Sequence, residues 1–391
     1  MGSLRMTATR PAGSASPRHR IRFLRSALGW VVRSLVAVLA AVTSACAVLP
    51  GATADRTSAR EATAEILSIV HAPLNVRHVD RVAADTEVVG ALQALDAVHE
   101  DTLADLARRH DLGYQEMRDA NPEVDPWLPG AGTRIYLPTL MILPAAPRDG
   151  IVINLPGMRL FDYAQASSDA AGAQHLFTHP IGIGREGWAT PTGTMRVTHK
   201  TRDPKWYPPA SVRAEHAAEG DPLPEVVLPG PDNPLGRFKI RLSRPNYLIH
   251  GTNKPAGVGM RVSHGCIRLY PEDIAPLFER VALETPVHIV DQPVLAGWLD
   301  GELYLEVHPP LAEDPRDLEQ LAWQAIDDAM ARRAMPGVTP DAGLIAQLVR
   351  ARRGIPVPVT RHGLSLSAYL AAARLVANDG ARRRGEVTAS R

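Results

Sequence analysis

Residues His250 to Leu269 read HGTNKPAGVGMRVSHGCIRL. Two His-Gly steps and a cysteine fall within one short stretch of a 391-residue chain that holds 14 His and 2 Cys in all. A thiol is a strong nucleophile only as thiolate, and at an ordinary pKa of about 8.5 only a few per cent is ionised at neutral pH. Cys266 therefore needs a base or a positive neighbour to react, and His250 and His264 are the candidates. His264 lies two positions before Cys266, which on an extended chain puts both on one face, although Gly265 between them loosens the local backbone. His250 ends the alternating run NYLIHG, and a strand tip can project a side chain into a neighbouring loop, which makes it the better base. Gly251 and Gly265 remove Cβ bulk where backbone amides can approach an oxyanion, and one such donor contributes about 2.7–4 kcal/mol. The set suits Cys-His acyl transfer.

Three other readings fit the same residues. The histidines and the thiol can be zinc ligands, although structural zinc takes four protein ligands and the chain has no CxxC. The histidines can be core residues bonded to backbone. The thiol can be a buried structural one, the usual state of a free cysteine.

Outward from the motif the chain alternates in short runs. GIVINLPGMRLFDY reads as a hairpin, HPIGIG as a strand edge, and TPTGTMRVTHK, FKIRL, NYLIHG and PVHIVDQ as further strands, with one helix in YPEDIAPLFERV. Residues 149–291 are thus a mostly β domain within an α+β chain. Upstream, residues 94–139 give a strand in LDAVHE, a helix in DTLADLARRHDLG capped by Asp101 or Thr102 and ended by Gly113, a second helix stopped at Asn121-Pro122, and a strand in TRIYLP. Residues 55–93 are weakly patterned and read as a linker. Beyond GELYLEVHPPL, three segments repeat apolar residues at three- and four-residue spacing: DLEQLAWQAIDDAMARRA, LIAQLVRARR and SLSAYLAAARLVAN. Residues 311–391 are therefore read as a helical extension.

The N-terminus carries RHRIRFLRSALGWVVR and then an uncharged run from Ser34 to Ala54 that ends in Ala52-Thr53-Ala54. Charged region, apolar region and small-residue site make residues 1–54 a secretory signal peptide and the expected location the periplasm. An uncleaved anchor and lipid attachment at Cys46 are the alternatives. Cleavage after Ala54 leaves Cys266 as the only cysteine, and an odd thiol in an oxidising compartment points to a reactive group or an intermolecular partner. The balance of 43 Lys+Arg against 42 Asp+Glu gives no general pull toward nucleic acid.

The stretch LIHGT…VGMRVSHGCIRLYPEDI, with HPIGIGREGWATPTGTMRV, PKWYPP, PGPDNPLGRFKIRL and ETPVHIVDQP around it, resembles the L,D-transpeptidase family and its YkuD-type catalytic domain. Residues 292–310 complete that pattern. TLADLARRHDL…MRDANP…LPGAGTRIYLP resembles a LysM module, with Glu100 where a glycine is usual. The resemblance implies a β-sandwich-like catalytic domain that works without metal or organic cofactor. It implies Cys266 as nucleophile, His250 as proton acceptor and donor, and the Gly251 carbonyl orienting that imidazole. His264, Gly265 and the Cys266 amide would shape an oxyanion pocket, with Ser263 completing the motif at the substrate side. Arg268 would anchor the loop or meet a substrate carboxylate, and Trp206 and Tyr207 would line the cleft or pack in the core.

The implied reaction is attack on the third-residue carbonyl of a peptidoglycan tetrapeptide stem, release of D-alanine, and transfer of the acyl group from a thioester to an amine. That amine belongs to another stem, giving a 3→3 cross-link, or to a lysine of an outer-membrane lipoprotein. A hydrolase of stem or lipoprotein linkages and a non-catalytic peptidoglycan-binding protein are the alternatives. LysM modules bind N-acetylglucosamine-containing glycan, and a small packing domain is the other reading of residues 94–139.

Overall fold

The computed structural model describes residues 78–163, 173–333 and 335–378, so the expected signal segment lies outside the described residues. The run Ile151–Asn154 is buried at every position because it sits centrally in a sheet covered on both faces. It pairs antiparallel with Arg159–Asp162 and parallel with Pro286–Val290. Outside the hairpin come Gln174–Pro180 and then His78–Val82. On the other side, Pro286–Val290 is followed in order by Gly193–Arg202, Phe238–Leu242, Leu248–His250 and Ile267–Arg268.

The long strand Gly193–Arg202 serves both halves of this sheet. Its first residues pair with Pro286–Ile289, its last with Phe238–Leu242, and the register shifts between Val197 and His199. The shift falls where the strand passes from one partner to the other, the place where a bulge changes pairing. Ile151, Ile153, Leu160, Ile240, Ile249 and Ile267 fill one core with Ile274, Leu277 and Phe278 from the helix Pro271–Arg280. Val152, Phe161 and Leu176 face the opposite core. The domain is mostly β, as the alternating runs imply, but it holds two helices, Pro271–Arg280, which the sequence reading expects, and Ala210–Ala218, which it does not.

Residues 78–93 are not a linker. His78–Val82 is a paired strand of the main sheet, and Val88–Gly90 pairs with Leu140–Ile142. Strands of three to five residues are too short to establish a period in sequence, and pairing partners decide them. From Gln93 the order is strand Gln93–Asp96, helices Leu103–Arg109 and Tyr114–Ala120, and strand Arg134–Leu137. Thr102 caps the first helix, accepting from the Asp105 amide at 3.0 Å. The left-handed residue after that helix is Asp111, φ 52°, not Gly113. Gly113 instead opens the second helix, its amide donating to Glu116 Oε2 at 2.6 Å.

The C-terminal region is more than a helical extension. Leu318–Arg332 and Ala342–Ala351 are helices, but the third covers only Leu366–Ala371, and Arg374–Leu375 then joins Gln93–Ala94 as a parallel strand. Ile326, Ile345 and Leu348 bury their apolar faces against Trp298, Leu303 and Leu305 of the hairpin Val294–Val307, so the 310/311 boundary cuts through one shared core.

The small strand-helix-helix-strand unit docks on the quoted motif itself. The Tyr114 and Gln115 amides donate to the carbonyls of Val258 and Gly259 at 3.4 and 3.1 Å. Gly259 has φ 78°, and a Cβ there would stand 2.3 Å from the Tyr114 nitrogen, so the approach requires glycine. Arg159, 3% exposed, holds Glu116 at 2.8 and 3.0 Å and the Asp111 carbonyl at 3.0 Å. Arg108 pairs with Glu272 at 2.7 Å, and Tyr270 donates to the Leu112 carbonyl at 3.2 Å.

Candidate active site

Strand register brings the candidates together. Leu248–His250 lies between Phe238–Leu242 and Ile267–Arg268, with Lys239 opposite His250 on one side and Arg268 opposite it on the other. Residues opposite one another share a face of the sheet, so Lys239, His250 and Arg268 form a row across three strands. Arg241 is opposite Leu248 in the neighbouring row, and Cys266 immediately precedes the strand Ile267–Arg268. All of them line one cleft of about 550 Å³, together with Trp206, Tyr207, Ser263 and His264.

His250 is 3% exposed, and its Nδ1 lies 2.6 Å from the Gly251 carbonyl. A carbonyl only accepts, so Nδ1 carries the proton and Nε2 the lone pair. Burial, reinforced by the Arg268 charge, pushes the imidazole down to about 3. Cys266 is half-buried, and its thiol donates to the Asn246 carbonyl at 3.6 Å. Burial pushes the thiol up. Both shifts disfavour charge, so the resting pair is a neutral thiol beside a neutral imidazole. Alkylation of Cys266 by iodoacetamide is accordingly expected to keep rising with pH beyond the titration of a free thiol near about 8.5. A rate already at its plateau below pH 7 would instead show a preformed thiolate.

The loop before the cysteine is tied by its carbonyls. Ser263 Oγ donates to the Cys266 carbonyl at 2.5 Å, and Thr190 Oγ1 donates to the Gly265 carbonyl at 3.0 Å while accepting from the Gly184 amide at 3.0 Å. Gly265 has φ 96°, and a Cβ there would meet the Tyr247 ring at 3.0 Å. Neither the Gly265 nor the Cys266 amide has a protein acceptor among the described residues. Two free amides beside the Cys266 sulfur can serve an oxyanion.

His264 does not touch this amide pair through its ring. Its Nε2 is 2.9 Å from Glu215 Oε2, and its ring meets Trp188 edge-on at 4.9 Å. Arg185 binds the same carboxylate, and these two partners hold Glu215 below the usual carboxylate range, His264 first. Glu215 belongs to the helix Ala210–Ala218, which also gives Ser211 and Val212 to the cleft wall. The clamp fixes the residue two positions before Cys266 to a different segment of the chain.

Tyr207 is 66% exposed, which rules out core packing for it, and the Trp206 backbone pairs with Val227 at 2.9 and 2.8 Å. Arg268 separates its two expected roles. Its backbone anchors the loop, exchanging bonds with Gly182 at 2.8 and 2.9 Å, while its guanidinium lines the cleft with a buried Nε that has no protein partner. Glu215, Thr190, Lys239 and Arg241 are the residues that sequence reading does not single out. The alternation in FKIRL places Lys239 and Arg241 on one face and was the available signal for them. Glu215 has none, being far from the motif on a separate helix.

Among the described residues, Asp111, His179 and Asp273 are close enough to suggest a metal site, and all three are buried. The chemistry of the donors argues against one. Arg280 Nη2 lies 3.2 Å from His179 Nε2 and must donate, which leaves the proton on Nδ1, the atom that faces Asp273 Oδ1 at 3.4 Å. A protonated ring nitrogen offers no lone pair to a metal.

Residues 148–289 match the family model described as the YkuD L,D-transpeptidase catalytic domain. The chain is 40% identical over 269 residues to the probable L,D-transpeptidase YcfS of Escherichia coli (strain K12), covering 68% of this chain and 82% of that one. It is 41% identical over 257 residues to the probable L,D-transpeptidase YbiS of the same strain, covering 64% and 81%. With the probable L,D-transpeptidase ErfK/SrfK of Salmonella typhimurium (strain LT2) the figure is 38% over 261 residues, covering 66% and 82%. Cleft, motif and extended similarity agree, and the chain belongs to the L,D-transpeptidase family, acyltransferases that act on peptidoglycan stem peptides.

Proposed function

We propose that Cys266 is the nucleophile and His250 its base, acting on the third-residue carbonyl of a tetrapeptide stem. The observation that carries this reading is the single cleft lined by a proton-bearing Cys266 and an imidazole with its tautomer fixed by Gly251. As the S–C bond forms, the thiol proton passes to His250 Nε2. The Gly265 and Cys266 amides hold the oxyanion. Collapse breaks the C–N bond, and the departing D-alanine amine takes the proton from His250, leaving a thioester. An acceptor amine then gives its proton to the same nitrogen, attacks the thioester, and releases the thiol.

Arg268 takes a donor carboxylate, since its guanidinium is the buried cation in the cleft with an unpartnered nitrogen. Trp206 and Tyr207 form the wall along which the donor lies. The Glu215 clamp makes His264 a positioning residue for the loop. The amine acceptor is another stem peptide, giving a 3→3 cross-link, or a lysine of an outer-membrane lipoprotein. Residues 94–139 act as a LysM-like glycan-binding module, a reading supported by Trp127 and Leu128, which are 61% and 73% exposed just before its last strand. The enzyme works in the periplasm, for which the support is the charged and apolar layout of residues 1–54.

Incubation with disaccharide-tetrapeptide, alone and with a lysine-containing acceptor peptide, tests the reaction class. Free D-alanine together with a cross-linked dimer or an acceptor adduct is the expected result. Free D-alanine with tripeptide alone would make water the acceptor and the enzyme a hydrolase.

A further inference from the structure

The cleft carries more positive charge than one carboxylate contact uses. Lys205, Lys239, Arg241 and Arg268 line it, and among the described residues no Asp or Glu does. Glu215, on the helix that gives Ser211 and Val212 to the cleft wall, is taken by His264 and Arg185. No carboxylate acts on Lys239 or Arg268: burial and then Arg241 push Lys239 down, and burial pushes Arg268 down. Such a cluster works against folding through self-repulsion and desolvation, so an anionic ligand is its natural complement.

Register gives the arrangement a direction. His250 is the middle member of the row, with Arg268 on one flank and Lys239 on the other, and Arg241 is on the Lys239 strand two residues along. Neighbouring strands are about 4.8 Å apart, so the Lys239 and Arg268 backbones stand about 10 Å apart. An extended peptide covers that distance in about three residues. A donor whose scissile carbonyl lies at Cys266 and His250 therefore meets a cation on each side of the reacting centre. A tetrapeptide stem carries free carboxylates on both sides of its third residue, one at its C-terminus and one on the residue before.

We propose that Lys239 and Arg241 form a second carboxylate subsite, opposite Arg268 across the reacting carbonyl, which makes the enzyme selective for donor stems with free rather than amidated carboxylates. The inference rests on the acyl-transfer reading above and names the specificity of that same cleft. Charge is what such a subsite reads, because amidation preserves size and one hydrogen-bond acceptor while removing the anion. Lys239 and Arg241 are specificity residues with no part in the bond changes.

The test is thioester formation on the full chain, followed by intact mass, so that no acceptor is involved. Donors are the free-acid disaccharide-tetrapeptide and versions with each free carboxylate amidated in turn. In the wild type, amidation at the position read by Lys239 and Arg241 is expected to slow acylation roughly 10- to 100-fold, the range for loss of a charge-assisted contact. The doubly substituted Lys239→Met, Arg241→Met protein should lose discrimination at that one position and keep it at the position read by Arg268. Lys239→Arg should retain it. A merely structural role would slow free and amidated donors alike, and equal ratios in the double variant and wild type would overturn the proposal. If no donor acylates the wild type at all, the acyl-transfer reading fails, and that outcome is distinct from uniform acylation of every donor.

Discussion

His250→Gln is expected to slow thioester formation by roughly 10²–10⁴-fold, the usual contribution of a positioned general base. Glutamine can still donate to the Gly251 carbonyl, so the local hydrogen bond that orients His250 at 2.6 Å is kept. Its amide cannot take the thiol proton. A neutral thiol raised by burial then has no route to thiolate in the cleft, whereas a preformed thiolate would react with little help from residue 250. The substitution also has a signature in stability. His250 is pushed from 6.5 down to about 3, so between those values the unfolded chain binds a proton that the folded chain does not. Stability contributed by keeping this ring neutral is therefore complete above pH 6.5 and falls as pH drops toward 3. His179, pushed down to about 4 by burial, has the same sign. The Gln variant should lose less stability than wild type on acidification through that window, measured by urea unfolding. A variant with wild-type acylation, or with unchanged acid sensitivity, would contradict the assignment.

Arg159→Met is expected to cost about 3–5 kcal/mol, the range for removing one member of a buried ion pair. The guanidinium meets both Glu116 oxygens and also donates to Thr178 Oγ1 at 3.1 Å and to the Asp111 carbonyl. Methionine fills much of the volume but strands a buried carboxylate and a buried carbonyl together. Arg159→Lys should recover only part of the loss, because a single ammonium cannot match the two-pronged contact. Urea unfolding followed by tryptophan fluorescence reads the shift, and a midpoint change worth less than about 0.5 kcal/mol, the usual bound for a surface substitution, would place Arg159 outside the stabilising network. Because Gln115 and Tyr114 hold the carbonyls of Gly259 and Val258, loosening this junction should also slow acylation modestly.

How much of this was legible in sequence depended on how local each cause was. The strand faces were legible: FKIRL and NYLIHG alternate, and the sheet pairs them with Lys239 opposite His250. Chemistry alone left Cys266 and His250 as one reading among several, and the resemblance of the motif to the L,D-transpeptidase signature is what singled out the pair. The two roles offered for Arg268 were not separable in sequence, because backbone and side chain of the same residue turned out to do different things. Residues 78–93 failed as a linker because their strands owe their existence to Gln174–Pro180 and Leu140–Ile142, which lie distant in the chain. The third C-terminal helix was read too long for a related reason. Its apolar spacing suits a helix, but the Val376 amide finds the Ala94 carbonyl at 2.8 Å and the chain is drawn into a sheet. Glu215 is the clearest limit: its importance arises from where its helix lands, and nothing in ASVRAEHAA announces it.

The central claim is covalent chemistry at one sulfur, and intact mass of the full chain after incubation with disaccharide-tetrapeptide, wild type beside Cys266→Ala, tests it most directly. The account predicts a wild-type adduct equal to the donor less D-alanine, discharged by hydroxylamine as a thioester should be, and no adduct on Cys266→Ala. An adduct that survives in Cys266→Ala, or a folded wild type with a reduced thiol that never acquires one, would contradict it.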